Sequence, residues 1–461
     1  MNIYLHVEIS ARELDSKLLL AILAAARGHE VIVANIEIIE KGLTRGWLPS
    51  GIFHTKSITP SKNKIIRHEA IINNGSKITS IDEEACIDRY NYEKFLKRRY
   101  SDETIKQSSA VFTWGDEDFE ALNKSYEKHS NKIYKTGSPR ADLWRPSLSE
   151  YWSTPKKIPK KPFLLISSNI TVFDRIPFLK RINMMKESGY FDRSPDLLKE
   201  RLTWISNDHL KVITFIDAIK YLSKYNNGYD IVVRPHPNED VNYWRVLVEG
   251  IPHVHVIREG AINSWVKNAF AVMHHACTTA VECTISQKPL VTYAASELKD
   301  HIYQNDLANQ LGHVVNTKEE LLSITNSLYE QANNNVLKKD TISLPSSILK
   351  KVYLDDNELA SEKMIKIWEN ISDGIVYRSI NMTKFRFFIF KMKINQLIGD
   401  ILKKLSFSRF SKFGTSKNQK FTSFDIDDVA DTIKKVQKIL KIDKRIKCKL
   451  ISKSAIIIKR V

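Results

Sequence analysis

The sequence predicts an α/β protein of two Rossmann-like domains facing a cleft, followed by a basic helical C-terminal tail. Three observations carry that expectation. Short apolar segments alternate with amphipathic helical ones from the start of the chain; the alternation breaks at a basic, proline-bearing stretch and then resumes; and the excess positive charge is confined to residues 371–461. In residues 1–150, Ile3–Ile9 reads as a strand, Ala11–Arg27 as a helix with Leu14, Leu18, Leu19, Ile22 and Leu23 on one face, and Gly28 as its stop. His29–Ile36 is the next strand, which opens a βαβ unit. Gly51–His54, Lys77–Ile81, Ala110–Trp114 and Lys132–Thr136 continue the strand series, with helices between them such as Ser61–Asn73 behind Pro60.

Residues 151–161, with TPKKIPKK, suit neither helix nor central strand and are taken as a linker. The grammar restarts over 162–370, with strands at Phe163–Ser167, Asp230–Arg234, His253–Ile257, Phe270–His274, Leu290–Tyr293 and His313–Val315. Two such domains with a cleft between them make the architecture called GT-B, and ligands of open α/β sheets sit beyond the carboxyl ends of the strands.

The chain has 461 residues, 43% of them hydrophobic, which fits two ordinary cores and not a disordered chain. Its net charge is +18, but residues 371–461 hold 22 Lys/Arg against 7 Asp/Glu, leaving the rest close to neutral. Four scattered cysteines without a CxxC pair offer neither a disulfide framework nor a zinc site. No basic leader precedes an apolar stretch, and the longest apolar run, Leu18–Ala26, is too short to span a bilayer, so a cytoplasmic location is expected.

After a helix expected at Leu354–Asn370, the segment from Met382 interleaves Phe385, Phe387, Phe388, Phe390, Met392, Ile394, Leu397 and Ile398 with Lys384, Arg386, Lys391 and Lys393. Such a segment suits an anionic membrane surface, with residues 382–461 holding the protein at the inner face of the cytoplasmic membrane. A basic helix packed on the protein's own body is the competing expectation. No nucleic-acid-binding motif accompanies the charge, and no nucleic acid is expected as a partner.

Candidate site residues follow from the strand ends. Arg234-Pro235-His236-Pro237 stops an apolar strand and leaves a cation and an imidazole where a phosphate can be met, against the alternative of a simple proline turn. A strand running into Thr278 and Thr279 offers hydroxyls and helix-start N–H groups to a nucleotide, with Glu282 one turn on for ribose hydroxyls; threonine capping is the plainer alternative. Ser167, Ser168 and Asn169 close the same region from a third loop. In the first domain, Glu8, Arg12, Glu13 and Asp15 cluster at the first strand end, and His54, Lys56 and Ser57 form a loop suited to an anionic sugar or acceptor. Asp116-Glu117-Asp118 has the spacing of a metal-binding DxD motif but opens a helix, where carboxylates are favoured without a metal. No metal ligand set is expected.

RPHP followed by the Thr-Thr helix start resembles the HP and Ser/Thr motifs of bacterial GT-B sialyltransferases and related capsule transferases that use CMP-activated nonulosonic or ulosonic acids. The wider pattern VEISARELDSK, GIFHTKSITPSKNK, SIDEE, TGSPRADLW and RPHPNED is similar to bacterial surface carbohydrate biosynthesis proteins, from the N-terminus to about residue 300. The resemblance implies a metal-independent glycosyltransferase moving a sugar from a CMP-linked donor onto a glycan or glycolipid acceptor of lipopolysaccharide or capsule, the donor being a co-substrate and no cofactor being needed. It implies that His236 and the threonines meet the CMP phosphate. It also implies a general base in an acidic motif, here Glu83-Glu84-Ala85 without the family's glycine, with Glu84 preferred to Glu83; Glu8, at the end of the first strand, is a further candidate by its position alone. A CDP-linked polyol-phosphate transferase, a sugar-nucleotide epimerase and a non-catalytic membrane-docked scaffold remain as alternatives.

Overall fold

The computed structural model describes residues 1–85, 92–187, 189–193, 196–295, 298, 306–334, 344–405 and 423–461. Two sheets organise them. The first holds β1 (Asn2–Val7), β2 (Glu30–Asn35), β3 (Ile52–Thr55), β4 (Lys77–Ile81), β5 (Ser108–Thr113) and β6 (Ile133–Lys135), all parallel, in the order β2-β1-β3-β4-β5-β6. The second holds β7 (Phe163–Ser167), β8 (Asp230–Arg234), β9 (Val254–Val256), β10 (Ala271–His274), β11 (Leu290–Tyr293) and β12 (His313–Val315), also parallel, in the order β12-β11-β10-β7-β8-β9.

These are the two common doubly wound orders, and each reverses at one point: between β1 and β3 in the first sheet, and between β7 and β10 in the second. The reversal sends the loops on either side in opposite directions and opens a crevice at the strands' carboxyl ends. Ligand-binding side chains are expected there.

The inner strands, such as β1, β7, β8 and β10, are buried runs because helices cover parallel sheets on both faces. Helix Ser10–Ala26 shows why: Leu18, Leu19, Ala21, Ile22 and Ala25 are all buried, and the chain leaves it through Gly28 at φ +94°, a left-handed conformation that a side chain would resist.

The expected boundary of the second domain is corrected. Residues 152–345 form one compact unit, and the chain from Ser346 onward rejoins residues 1–85 and 92–151 in the other. Helix Ala360–Asn370, shorter than the expected Leu354–Asn370, is seated on the first unit by Asp142, whose carboxylate accepts the N–H groups of Ala360 and Ser361 (both 2.9 Å) and the Ser361 hydroxyl (2.8 Å). Further along the same helix, fully buried Trp368 donates its indole N–H to Thr79 Oγ1 at 3.0 Å.

The expectation of a helical tail is also corrected. Helix Met382–Leu405 and helix Ile426–Ile439 are followed by β13 (Ile446–Ser452) and β14 (Ala455–Arg460), an antiparallel hairpin whose β14 pairs antiparallel with β2 and extends the first sheet to eight strands. Phe385, Phe388 and Ile389 are buried with Tyr4, Phe53 and Ile457 in the core of the first unit, each large side chain contributing roughly 1.5–3 kcal/mol. The opposite face of that helix, with Phe387, Phe390, Leu397 and Ile398, is exposed. Among the described residues, no helix is long and apolar enough to cross a membrane.

The DxD-spaced acids open helix Asp116–Ser125. Asp116 pairs with Lys135 at 2.6 Å, Glu117 with Lys351 at 2.8 Å, and burial raises the Asp118 carboxyl to about 7.

Candidate functional site

In the second unit, the side chains at the sheet reversal meet directly. Ser167, the last residue of β7, donates its hydroxyl to Thr279 Oγ1 at 3.3 Å and lies 3.4 Å from Cys277 Sγ. Between β10 and helix Thr279–Ile285 the backbone passes through Ala276 at φ +53°, a left-handed conformation costing roughly 1–2 kcal/mol in a residue with a side chain. Two amides hold that turn: Asn309 Oδ1 accepts the Ala276 N–H at 2.6 Å, and Asn169 donates to the Ala276 carbonyl at 3.3 Å. Asn169 therefore shapes the loop. Thr278 is exposed at the start of the helix, and its hydroxyl does not cap it. Glu282 is buried one turn on, where Oε2 accepts from Asn263 at 3.0 Å.

The β8 end divides into a structural residue and an outward one. Arg234 is buried: its guanidinium donates to the carbonyls of Glu259 (2.8 Å) and Gly260 and lies 5.8 Å from the Trp265 ring. Burial, and then the Arg258 charge, lower it to about 10. Its cation fixes the loop after β9 and is spent there. His236 is partly exposed, and its Nδ1 accepts the Asn238 N–H at 3.2 Å. In the neutral ring that bond puts the proton on Nε2, which makes Nε2 a donor.

Glu239, five residues after β8, holds this region together. Its carboxylate accepts the Ser168 hydroxyl (2.7 Å), the Ile170 N–H (2.7 Å) and the Trp244 indole N–H (2.8 Å), and burial raises it to about 7. Ser168 is thus directed towards Glu239. Neither Glu239 nor Asn263 was singled out by sequence; Glu239 lay inside RPHPNED, where an acid reads as solvated.

His274 and His275 also have structural partners. Thr292 donates its hydroxyl to the Leu311 carbonyl (2.7 Å), so it accepts from His274 Nε2 (2.8 Å), while His274 Nδ1 accepts the Cys277 N–H at 3.4 Å. Burial then keeps this ring neutral and pushes its pKa down to about 3. His275 Nδ1 donates to the Tyr293 carbonyl at 3.1 Å.

In the first unit the sheet reversal is bridged by an ion pair, Lys56 Nζ lying 2.5 Å from Glu8 Oε2. Glu13 turns back on the same junction and accepts the backbone N–H groups of Glu8 (2.8 Å) and Ile9 (3.3 Å), so it closes the first turn of its helix. Arg12 pairs with Glu13 at 3.2 Å and approaches Glu84 at 3.9 Å. His54 does not reach this mouth. It is fully buried between Phe112 and Trp368, with Nδ1 3.1 Å from Thr79 Oγ1.

The two candidate bases occupy different environments. Glu83 is buried against the equally buried Lys17, with 2.7 Å between Oε1 and Nζ. Burial pushes its carboxyl up, but Lys17, Arg140 and Arg12 more than offset that and leave it below its ordinary value. Among the described residues, Glu83 Oε2 has no hydrogen-bond partner. Glu84 has a side chain 38% exposed, 3.1 Å from Arg99, which also grips Asp82 through two bonds of 2.5 and 2.7 Å. A carboxylate open to solvent can receive a proton from a bound hydroxyl; one sealed against a lysine cannot. Among the described residues, no group of three or more His, Cys, Asp or Glu is placed to hold a metal.

No protein-family profile and no curated protein matches the chain. Solved structures of similar fold include a UDP-GlcNAc 2-epimerase from Methanocaldococcus jannaschii in complex with UDP-GlcNAc and UDP, at 14% identity over 80% of this chain and 100% of that one, with a TM-score of 0.45. A glycosyltransferase from Rickettsia africae is 12% identical over 81% of this chain and 98% of that one, with a TM-score of 0.43. The wall teichoic acid polymerase TagF with CDPG is 12% identical over 71% of this chain and 73% of that one, with a TM-score of 0.40. At such scores the likeness carries no argument about chemistry, which rests on the residues above.

Proposed function

We propose that the chain is a glycosyltransferase that takes a sugar from a nucleotide-activated donor, a CMP-linked nonulosonic or ulosonic acid, and adds it to a bacterial surface glycan. One observation carries the donor side: at the second sheet's reversal Ser167 bonds to Thr279, next to the exposed Thr278, while on the neighbouring strand Arg234 pairs with Ser167 and leads two residues on to His236, whose Nδ1 accepts a backbone N–H and leaves Nε2 as the donor. Those groups suit the phosphate of a departing nucleotide, since neutral donors fixed by the fold stabilise developing charge without reorganising.

In the transfer, the acceptor hydroxyl oxygen bonds to the anomeric carbon as the bond from that carbon to the phosphate oxygen breaks. The electron pair leaves with CMP, and His236 donates a hydrogen bond to it. Glu84 takes the hydroxyl proton. Glu83, paired with Lys17, supports the loop that carries Glu84. No metal is required in this scheme. The exposed face of helix Met382–Leu405, apolar with Lys384, Arg386, Lys391 and Lys393 interleaved, holds the enzyme at an anionic membrane surface.

The test is calorimetry of CMP, CDP, UDP and GDP against the full chain with and without EDTA, followed by turnover of a CMP-linked acidic sugar. Selective, EDTA-insensitive CMP binding weakened about tenfold or more in His236→Ala is expected, as is turnover reduced by 10²–10⁴-fold in Glu84→Gln with CMP binding retained. Selectivity for UDP or GDP overturns the donor class. Conversion of a donor sugar without any acceptor makes the protein an epimerase, and absence of nucleotide binding makes it a scaffold.

A further inference from the structure

A polar pocket opens in the second unit beside the turn that follows β8. Its volume is about 400 Å³, in the range of small-molecule sites, and it is lined by Arg175, Asp240, Val241, Asn242, Arg245 and Arg258. Three separate segments bring the arginines there. Arg175 lies in the loop after β7, where its backbone N–H donates to the Asn238 carbonyl at 3.1 Å. Arg245 is on helix Val241–Leu247, and Arg258 follows β9.

Three guanidinium groups share this pocket with a single carboxylate. Asp240 is that carboxylate, and its Oδ1 accepts the Asn242 N–H at 3.0 Å. Nearby acids are committed elsewhere: Asp174 pairs with Arg181, and Glu239 is buried under its three donors. Among the described residues, the guanidinium of Arg175 has no hydrogen-bond or ion-pair partner, and that of Arg245 has only a 3.4 Å contact to Asn242 Oδ1. Arg258 donates to the carbonyls of Pro237 (3.3 Å) and Glu239 (2.9 Å). Burial, and then the charge of Arg175, lower the pKa of Arg258. Like charges held together at net positive charge are relieved by an anion, and arginine forks match the oxygens of phosphate.

We propose that the pocket formed by Arg175, Arg245 and Arg258 is a second anion site, taking a phosphate-bearing ligand separately from the His236 site. Next to these arginines, Ile176 is 40%, Tyr243 50% and Val246 70% exposed, so the phosphate can belong to a free ion or to the head of an amphiphile. Arg258 touches the turn that carries His236, which ties occupancy of the pocket to the position of that turn. This inference stands whether or not the donor assignment does.

Calorimetry of the full chain with inorganic phosphate, and with dodecyl phosphate below its micelle-forming concentration, tests it. The double variant Arg175→Gln/Arg245→Gln removes two cations that make no strong internal bonds, so the fold is retained; circular dichroism and the melting temperature verify that. Saturable binding to the wild type, weakened at least tenfold in the double variant and unchanged in His236→Ala, is expected. Dodecyl phosphate binding tenfold tighter than phosphate assigns the site to a lipid-borne head, and equal affinities assign it to a soluble phosphate. The proposal is overturned if neither probe binds, if the double variant binds as the wild type does, or if His236→Ala alone abolishes binding.

Discussion

At the scale of single residues, the buried Lys17–Glu83 pair is the most exposed to test. Both charges are out of water, so removing one partner leaves the other uncompensated at a cost of roughly 3–5 kcal/mol, whereas removing both as a well-packed apolar pair is far less costly. Lys17→Met is therefore expected to lower stability by that amount in chemical denaturation, and Lys17→Met/Glu83→Leu to recover most of it. Equal losses in the single and double variants would contradict the pairing. The sequence could not disclose this, because Lys17 reads as one more polar position on an amphipathic helix, and its partner lies on a loop after β4. The same holds for Arg234 and His54. Each carries a functional type of side chain at a strand end, but the neighbouring backbone carbonyls claim the one and the Trp368–Phe112 cluster buries the other.

At the scale of elements, the parallel strands were legible because a strand covered on both faces must be an almost unbroken apolar run. Asp230–Arg234 and Leu290–Tyr293 coincide with expectation for that reason. The hairpin β13–β14 was not legible. Ile446–Ser452 alternates lysines with apolar residues, which is the signature of an exposed edge strand, but it lies in a stretch whose net charge dominates any reading. Asp142 was illegible for a different reason: nothing local to TGSPRADLW marks its role, because its carboxylate caps a helix more than two hundred residues away. Deleting residues 446–461 should consequently destabilise the first unit, since it strips the partner strand from β2 and uncovers Ile32 and Ala34. A lower melting temperature and loss of soluble protein are expected. A fully soluble, equally stable truncated chain would show that the hairpin is dispensable.

At the scale of the whole molecule, buried ionisable groups set the response to acid. His68 and His274 are held at about 3, and His6 and His54 are also lowered by burial, so the folded state keeps these rings neutral. The unfolded chain takes up protons on them below about 6.5, and stability contributed by the neutral rings is lost as pH falls. Asp118 and Glu239 act in the opposite sense: raised to about 7, they add stability as pH falls from about 7 towards 4. Four rings against two carboxyls give a net loss as pH falls below about 6.5. Below about pH 4.5 the two carboxyls no longer compensate, while the carboxyls of Glu83, Asp355 and Glu369, depressed in the folded state, begin to take up protons in the unfolded chain, so the steepest loss is expected there. Among the described residues, His68 has no hydrogen-bond partner for either ring nitrogen, and His68→Leu should reduce the slope in that acid range by about 1.4 kcal/mol per pH unit, measured by denaturation at several pH values. An unchanged slope would place the acid sensitivity elsewhere. The hairpin also has a bearing on biosynthesis. Residues 31–34 leave the ribosome long before residues 455–458, their partners across the sheet. At about 5–20 residues per second, the edge of β2 waits tens of seconds for its neighbour. The unit formed by residues 152–345 is translated within that interval. The nascent chain must therefore complete its middle before its beginning, and a chaperone that shields an open sheet edge is the kind of help this order of events calls for.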